Sequence, residues 1–444
     1  MSEPSVLVII VTFNKKEYVV NLIESLRSIE YENYDIVLVD NASSDGTVEF
    51  LAANFPDLHV IRNSENTGGS GGFNTGLQFA FQQEGYDYLW LLDNDVEVSK
   101  DALSRLVAVL EAHPDVAVAG SQMCQLDNPG VTNEIGAYVD LHNGGLVLNR
   151  HLTRRNNNLI GIFDVDYVAA ASMLVRADVA RKAGLWEDFF IHFDDVDWCL
   201  TIQKMGYRIV GVSDSLIWHL SAAEKPITWA MYYDVRNMLF LLDKHSKKQN
   251  VKRFGRRKVL QAIYNELRGF TPISEIILDG VEDFLQGVKG KKTFSLPQSM
   301  GDDAIRETHP ESDVLIAQNE WFDLGKFPFE EKYLCSVKEI FLPHYLRDAV
   351  FYWNRKGGVP VKYYSKIKLI CLLLFALLTG YRKYRRSYVD IRCMPFLASL
   401  LSEEIAVHTG DMNWMIIKRD PMTVWKNIFR IAVRGAKQYW GFLV

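Results

Sequence analysis

Tyr88-Leu-Trp-Leu-Leu-Asp-Asn-Asp95 places five apolar or aromatic residues directly before two aspartates one residue apart. The run reads as a strand buried on both faces, with Asp93-Asn94-Asp95 at its carboxyl end. Carboxylates at i and i+2 leave an extended strand on the same side, and as the chain bends their oxygens can converge on one hard divalent cation. Two bare charges this close repel, so the pair calls for a cationic partner, and such a cation would hold a diphosphate.

Upstream, residues 5–11 (SVLVIIV) form a continuous β-branched run of the kind found in buried parallel strands. Residues 17–29 carry Val20, Leu22, Ile23 and Leu26 at helical spacing, and 35–39 (DIVLV) is a second strand ending at Asp40. Asp45-Gly46 opens a helix through Leu51, 59–61 is a short strand, and 74–83 is a helix before the strand that delivers Asp93. This alternation predicts an α/β domain with a mostly parallel central sheet and ligands at the strand carboxyl ends. Thr12, Asp40, Asn63 and Asp93 are therefore expected on one rim.

The chain of 444 residues, 48% apolar and 12% aromatic, can bury two or three domains, and its net charge of −6 argues against nucleic acid as the general partner. Five scattered cysteines, with no CxxC pair, suggest neither a disulfide framework nor a zinc site. The amino terminus enters a strand without a basic leader, so a cytoplasmic setting is expected.

After the third strand comes Asn66-Thr-Gly-Gly-Ser-Gly-Gly-Phe-Asn-Thr-Gly76. Glycines let a backbone approach a ligand closely and a helix amino terminus favours anions, which makes Asn66, Gly68, Gly69 and Gly72 candidates for cradling a nucleotide-sugar. A plain tight turn is the alternative. The loop lacks the ending of a P-loop, and Thr12-Phe-Asn-Lys15 stands where a dinucleotide fingerprint would follow the first strand, which speaks against an oxidoreductase.

Val11-Thr-Phe-Asn14, Val39-Asp-Asn-Ala-Ser43, the glycine loop, Asp93-Asn-Asp95, Phe189-Phe-Ile-His-Phe-Asp-Asp-Val-Asp197 and Trp218-His219 resemble, in order and spacing, the glycosyltransferases of family 2. The match covers about the first 240 residues and is nearest to bacterial galactofuranosyltransferases. The resemblance implies the GT-A fold and inverting sugar transfer dependent on Mn²⁺ or Mg²⁺. It makes Asp93, Asp95 and His219 the metal ligands, with Asn94 beside them. Asp40 would meet the nucleobase, and Thr12 would line the same pocket. Inversion needs a base for the acceptor hydroxyl, and Asp195 is assigned to it, with Asp194 in support; a helix cap is the plainer role for Asp194. Trp186 and Asp188 lie just before that base, where an acceptor sugar would stack and share hydroxyls; core packing is equally open for Trp186. Tyr233 and Arg236 would meet an acceptor diphosphate. The implied donor is UDP-galactofuranose, with dTDP-rhamnose as runner-up and a catalytically dead nucleotide-binding scaffold as the rival class. A start directly at the first strand, without the additional β-domain of the polymerising enzymes, favours addition of one or a few residues.

The catalytic domain is expected over 1–225 and a helical extension over 226–292, closed by a boundary at 287–292. Residues 293–444 are expected to form a mainly helical region for acceptor, membrane or oligomer contact. Lys244, Lys247, Lys248, Lys252, Arg253, Arg256, Arg257 and Lys258 form a basic block suited to a lipid-linked glycan acceptor at the inner face of the cell membrane. The apolar stretch 367–379 is too short to span a bilayer and reads as a buried or interfacial helix, so attachment should be peripheral. A homo-oligomer is a further expectation.

Overall fold

A computed structural model describes residues 3–156, 158–220, 229–267 and 271–294, the strands named below beyond them, and Lys426 and Phe429. The chain divides into two compact units, one of 1–223, 236–254 and 283–292 and the other of 224–235, 255–282 and 293–444. The stretch 287–292, expected as a boundary, thus belongs to the first unit.

The elements run β1 (Val6–Thr12), α1 (Lys16–Leu26), β2 (Tyr34–Asp40), α2 (Thr47–Asn54), β3 (His59–Arg62), α3 (Gly68–Gln82), β4 (Tyr88–Asp93), β5 (Val96–Val98), α4 (Ala102–Ala112) and β6 (Val116–Gln125). They continue with β7 (Val131–Glu134), β8 (Ala137–Val139), β9 (Leu146–Leu148), β10 (Thr153–Arg154), β11 (Ile162–Val165), β12 (Met173–Arg176), α5 (Ala177–Ala183), α6 (Asp194–Lys204) and β13 (Arg208–His219). Helices α7 (Ala230–His245), α8 (Lys248–Leu267) and α9 (Thr271–Leu285) follow, within the stretch where a helical extension was expected.

The central sheet has the order β10-β7-β6-β12-β4-β1-β2-β3, parallel from β4 to β3 and mixed beyond. Register sets the rim: Thr12 lies opposite Asp40, Val11 opposite Asp93, and Asp40 opposite Arg62. Strand β13 runs parallel to β6 and then pairs antiparallel with β5, His219 against Val96. That pairing sets His219 beside the residue that follows Asp95, although more than a hundred positions separate them in sequence. Val8, Ile10, Trp90 and Leu92 pack with Leu22 of α1 and Leu106 of α4 in one continuous core, all 0% exposed. Burial of each such side chain contributes roughly 1.5–3 kcal/mol.

Helix α3 starts at Gly68, six residues before the expected start at Asn74, so the glycine cluster is its first two turns. Glycine is a poor helix former, and packing explains its presence. A Cβ on Gly72 would lie 2.4 Å from Val11 Cγ1, and one on Gly76 2.3 Å from Ile9 Cγ2. Only bare backbone lets α3 sit this close to β1.

In the second unit, Tyr232 and Tyr233 pack edge to face at 4.9 Å, with Phe294 5.1 Å from Tyr232. A further sheet has the order β16-β15-β14-β17-β18-β19, formed by β14 (Asp313–Ile316), β15 (Val337–Pro343), β16 (Val361–Tyr364), β17 (Tyr384–Asp390), β18 (Ser402–Gly410) and β19 (Asn413–Lys418). All its pairs are parallel except β18 with β19. This sheet was not anticipated; the helices expected of 293–444 fall on intervening stretches outside the described residues, as does 367–379. Among the described residues no helix is long and apolar enough to cross a membrane.

Candidate active site

The end of β4 and the end of β13 build one cluster. Ligand atoms of Asp93, Asp95 and His219 lie within 4.8 Å of one another. His219 Nε2 stands 3.1 Å from Asp95 Oδ1 and 4.0 Å from Asp93 Oδ2, and this buried nitrogen makes no hydrogen bond. A buried polar atom left in this way costs about 1–3 kcal/mol, which a cation bound by its lone pair would remove. Two carboxylates and an imidazole suit Mn²⁺ or Mg²⁺, so the donor set fits the metal expected from the sequence. Asn94, between the two aspartates, donates to Thr12 Oγ1 at 3.0 Å. Thr12 is itself 1% exposed and braces this turn, where a pocket-lining role was expected.

Glu134, on β7, is a buried carboxylate beside this cluster that the sequence did not reveal. Burial pushes it up to about 7, and the nearby His219 charge draws it downward.

The proposed base lies at the start of α6. Burial and the charge of Asp194 hold Asp195 well above the carboxylate range, against N–H groups of Ala170 (3.3 Å) and Val196 (2.8 Å), while Asp93 raises it further. The metal cluster is therefore felt at Asp195. Asp194 does not occupy the cap: α6 begins at Asp194, and the cap position is Phe193. Its Oδ2 accepts from Ser70 Oγ at 2.6 Å, so it fastens α6 to the start of α3. Burial raises its pKa and the Ser70 bond opposes that shift.

The loop entering α6 is strained. Phe190, His192 and Phe193 have φ of 68°, 65° and 67°, a left-handed conformation that costs side chains with a Cβ about 1–3 kcal/mol each. Phe190 O accepts from Ser70 N–H at 3.2 Å, and a Cβ on Gly68 would come within 2.0 Å of that oxygen. Gly68 is thus required by this loop, while Gly69 has room around it. Asn66 Oδ1 accepts from Gly68 N–H (2.8 Å) and Asn41 Nδ2 (3.2 Å), and its carbonyl from Lys291 Nζ (3.3 Å).

Several expected contacts take a different form. Asp40 is 0% exposed; its carboxylate accepts from Ser43 N–H at 3.1 Å and lies 3.6 Å from Arg62 Nε, so it fixes the turn after β2 where a nucleobase contact was expected. Gly72 is accounted for by the approach of α3 to Val11. Trp186 is 4% exposed between Phe73 (4.9 Å) and Trp198 (5.8 Å), which makes it core and removes it as a stacking platform. Arg236 is 0% exposed and donates to the carbonyls of Phe189 and Gly290, so its guanidinium braces backbone where an acceptor phosphate was expected. Tyr233, 1% exposed among Tyr232, Trp229 and Phe294, packs in the second unit. Asp188 is exposed beside the loop, as an acceptor contact needs.

Residues 7–181 match the family model described as glycosyl transferase family 2. Galactofuranosyltransferase GlfT2 of Mycobacterium tuberculosis is 25% identical over 280 residues, 59% of this chain and 44% of that protein. Abequosyltransferase RfbV of Salmonella typhimurium is 30% identical over 150 residues, 32% of this chain and 44% of its own. The chain thus spans less than half the length of these curated relatives. Among solved structures, GalNAc-T7 with UDP, GalNAc and Mn²⁺ aligns with a TM-score of 0.45 at 14% identity, over 64% of this chain and 56% of that one. TarS 1–349 of S. aureus aligns at 0.43 and 18%, over 64% and 81%.

Proposed function

We propose that the chain is a glycosyltransferase of family 2, whose model matches residues 7–181 and whose mixed sheet is the GT-A fold, and that it moves galactofuranose from UDP-galactofuranose onto a lipid-linked glycan with inversion. The observation that carries this is the convergence of Asp93, Asp95 and His219 on one donor set, supported by a raised carboxylate at Asp195 on which the charge of Asp93 acts. A divalent cation held by those three residues would neutralise charge growing on the departing diphosphate. Asp195 takes the proton of the acceptor hydroxyl as its oxygen bonds to the anomeric carbon. On the opposite face the carbon–oxygen bond to the diphosphate breaks, its electron pair leaving with the nucleotide. A base whose pKa lies near the working pH suits that transfer. The similarity to GlfT2 over 280 residues supports galactofuranose as the sugar.

The acceptor reading draws on the basic face. Lys247, Lys248, Lys252, Arg256 and Arg257 are exposed at and along α8, as an anionic membrane surface and a lipid-linked diphosphate require. The test offers UDP-galactofuranose or dTDP-rhamnose with Mn²⁺ and a lipid-linked acceptor and measures release of UDP or dTDP. Turnover with the first donor alone, lost in Asp195→Asn while UDP binding persists, supports the proposal. Preference for the second reassigns the sugar, and binding without turnover of either leaves a scaffold.

A further inference from the structure

The loop before the proposed base cannot hold its own shape. Three of its residues, Phe190, His192 and Phe193, are left-handed, a conformation that side chains with a Cβ adopt rarely and keep only when their surroundings enforce it. Three of its backbone carbonyls meet one amide, while Phe190 O accepts from Ser70 N–H and Phe193 O from Asp197 N–H. Asn237 Nδ2 donates to Phe189 O at 3.1 Å, to Ile191 O at 2.7 Å and to His192 O at 3.0 Å. The amide oxygen accepts from Arg236 Nε at 2.9 Å, which fixes which end of Asn237 faces the loop. Arg236 then reaches Phe189 O at 2.9 Å and Gly290 O at 2.8 Å with its two terminal nitrogens. Gly290 N–H in turn donates to Asp188 O at 2.8 Å, so 287–292 closes the same assembly. Both clamp residues are 0% exposed. The next residues in the chain are Asp194 and Asp195.

We propose that Arg236 and Asn237 are positioning residues for sugar transfer: a side-chain clamp that keeps Phe190, His192 and Phe193 left-handed and thereby sets Asp195 in place for the acceptor hydroxyl. The inference deepens the functional reading and rests on Asp195 as base. The fork of Arg236 is needed because a lysine has one nitrogen and cannot bridge Phe189, Gly290 and Asn237 together. Neither residue touches substrate; they act through the loop.

The test compares Asn237→Ala with wild type for kcat, KM for the donor, the pH dependence of kcat, and UDP binding with Mn²⁺ by calorimetry. A displaced base lowers kcat about 100-fold, as a misplacement of about 1 Å does, while UDP affinity and KM stay within about threefold. The limb of the pH profile set by the base shifts, which loss of stability alone would not produce. Adding His192→Gly to Asn237→Ala recovers at least about tenfold, because glycine adopts a positive φ without strain and needs less enforcement. Should Asn237→Ala fail to fold, Asn237→Ser, which keeps one donor, is read by the same measurements with a smaller loss. Turnover and pH profile like wild type in the folded variant overturn the clamp, as does a loss of UDP affinity equal to the loss of kcat. An active Asp195→Asn enzyme would instead remove the base assignment, so the two failures are told apart.

Discussion

Gly72→Ala separates a glycine needed for packing from one needed to cradle a ligand. Its new Cβ would lie 2.4 Å from Val11 Cγ1 and 3.3 Å from Cγ2, against a β-branched side chain with little freedom to turn. Overpacking of this kind costs typically 1–3 kcal/mol, and alanine returns about 1 kcal/mol of helix propensity, so a net loss of up to about 2 kcal/mol is expected. At about 2–4 °C per kcal/mol the first unfolding transition falls by up to several degrees. Val11→Ala removes both clashing carbons, so the double variant loses about 1 kcal/mol less than the two single variants together. Melting curves of the four proteins measure this, with UDP and Mn²⁺ titrated into each. UDP affinity is expected to stay within about threefold throughout, since the added methyl meets β1 and no ligand. A Gly72→Ala protein that melts like wild type while UDP affinity falls tenfold would refute the packing account and return Gly72 to the donor site.

Asp95→Asn and His219→Gln each remove a donor from the metal set, and Mn²⁺-dependent UDP binding should weaken about 10–100-fold in both; unchanged affinity across a Mn²⁺ titration would discredit the site. Glu134 gives a pH signature. Its pKa is pushed up to about 7 in the folded protein from 4.5, so the folded state holds a proton that the unfolded state has released, and stability falls as pH rises through that window. Metal-free Glu134→Gln should therefore exceed wild type by about 3 kcal/mol at pH 8 and come close to it near pH 4.5; an equal difference at both pH values in urea melts contradicts the buried charge. For the basic face, Lys247→Glu, Lys248→Glu and Lys252→Glu combined should lower binding to vesicles of anionic lipid at least about 100-fold at low salt, and wild-type binding equal on neutral vesicles would remove electrostatics from the membrane proposal.

The parts of the fold that were legible are those where one physical cause dominates. β1, β2 and β4 are apolar because they are largely buried, and Asp93 and Asp95 stand out as two carboxylates one residue apart at the end of an apolar run. His219 was legible through its resemblance to a motif; its physical reason, the antiparallel pairing of β13 with β5, joins distant segments and leaves no local trace. Where two causes share one residue type, sequence alone does not separate them. Glycines that cradle a phosphate and glycines that let a helix touch a strand look alike in sequence, and only the approach of Ile9 and Val11 to α3 tells them apart. Asp40 and Arg236 are charged residues that a sequence places at the surface by default, yet backbone N–H and carbonyl groups satisfy both inside the fold. Glu134 had no signal at all, since a lone carboxylate on a four-residue strand carries no pattern.

The second sheet bears on how the chain would meet a membrane. Five of its strands are parallel, and the order β16-β15-β14-β17-β18 places β14 centrally, with the first two connections leading to one side and the last two to the other. Each parallel step needs a crossover, and the residues between these strands lie outside the described residues. A parallel sheet is stable only when both faces are covered by apolar surface. The apolar stretch 367–379 lies outside the described residues and carries no membrane argument. The exposed cations of α8 then carry the membrane proposal by themselves, which is why charge reversal on that face is the measurement that decides it.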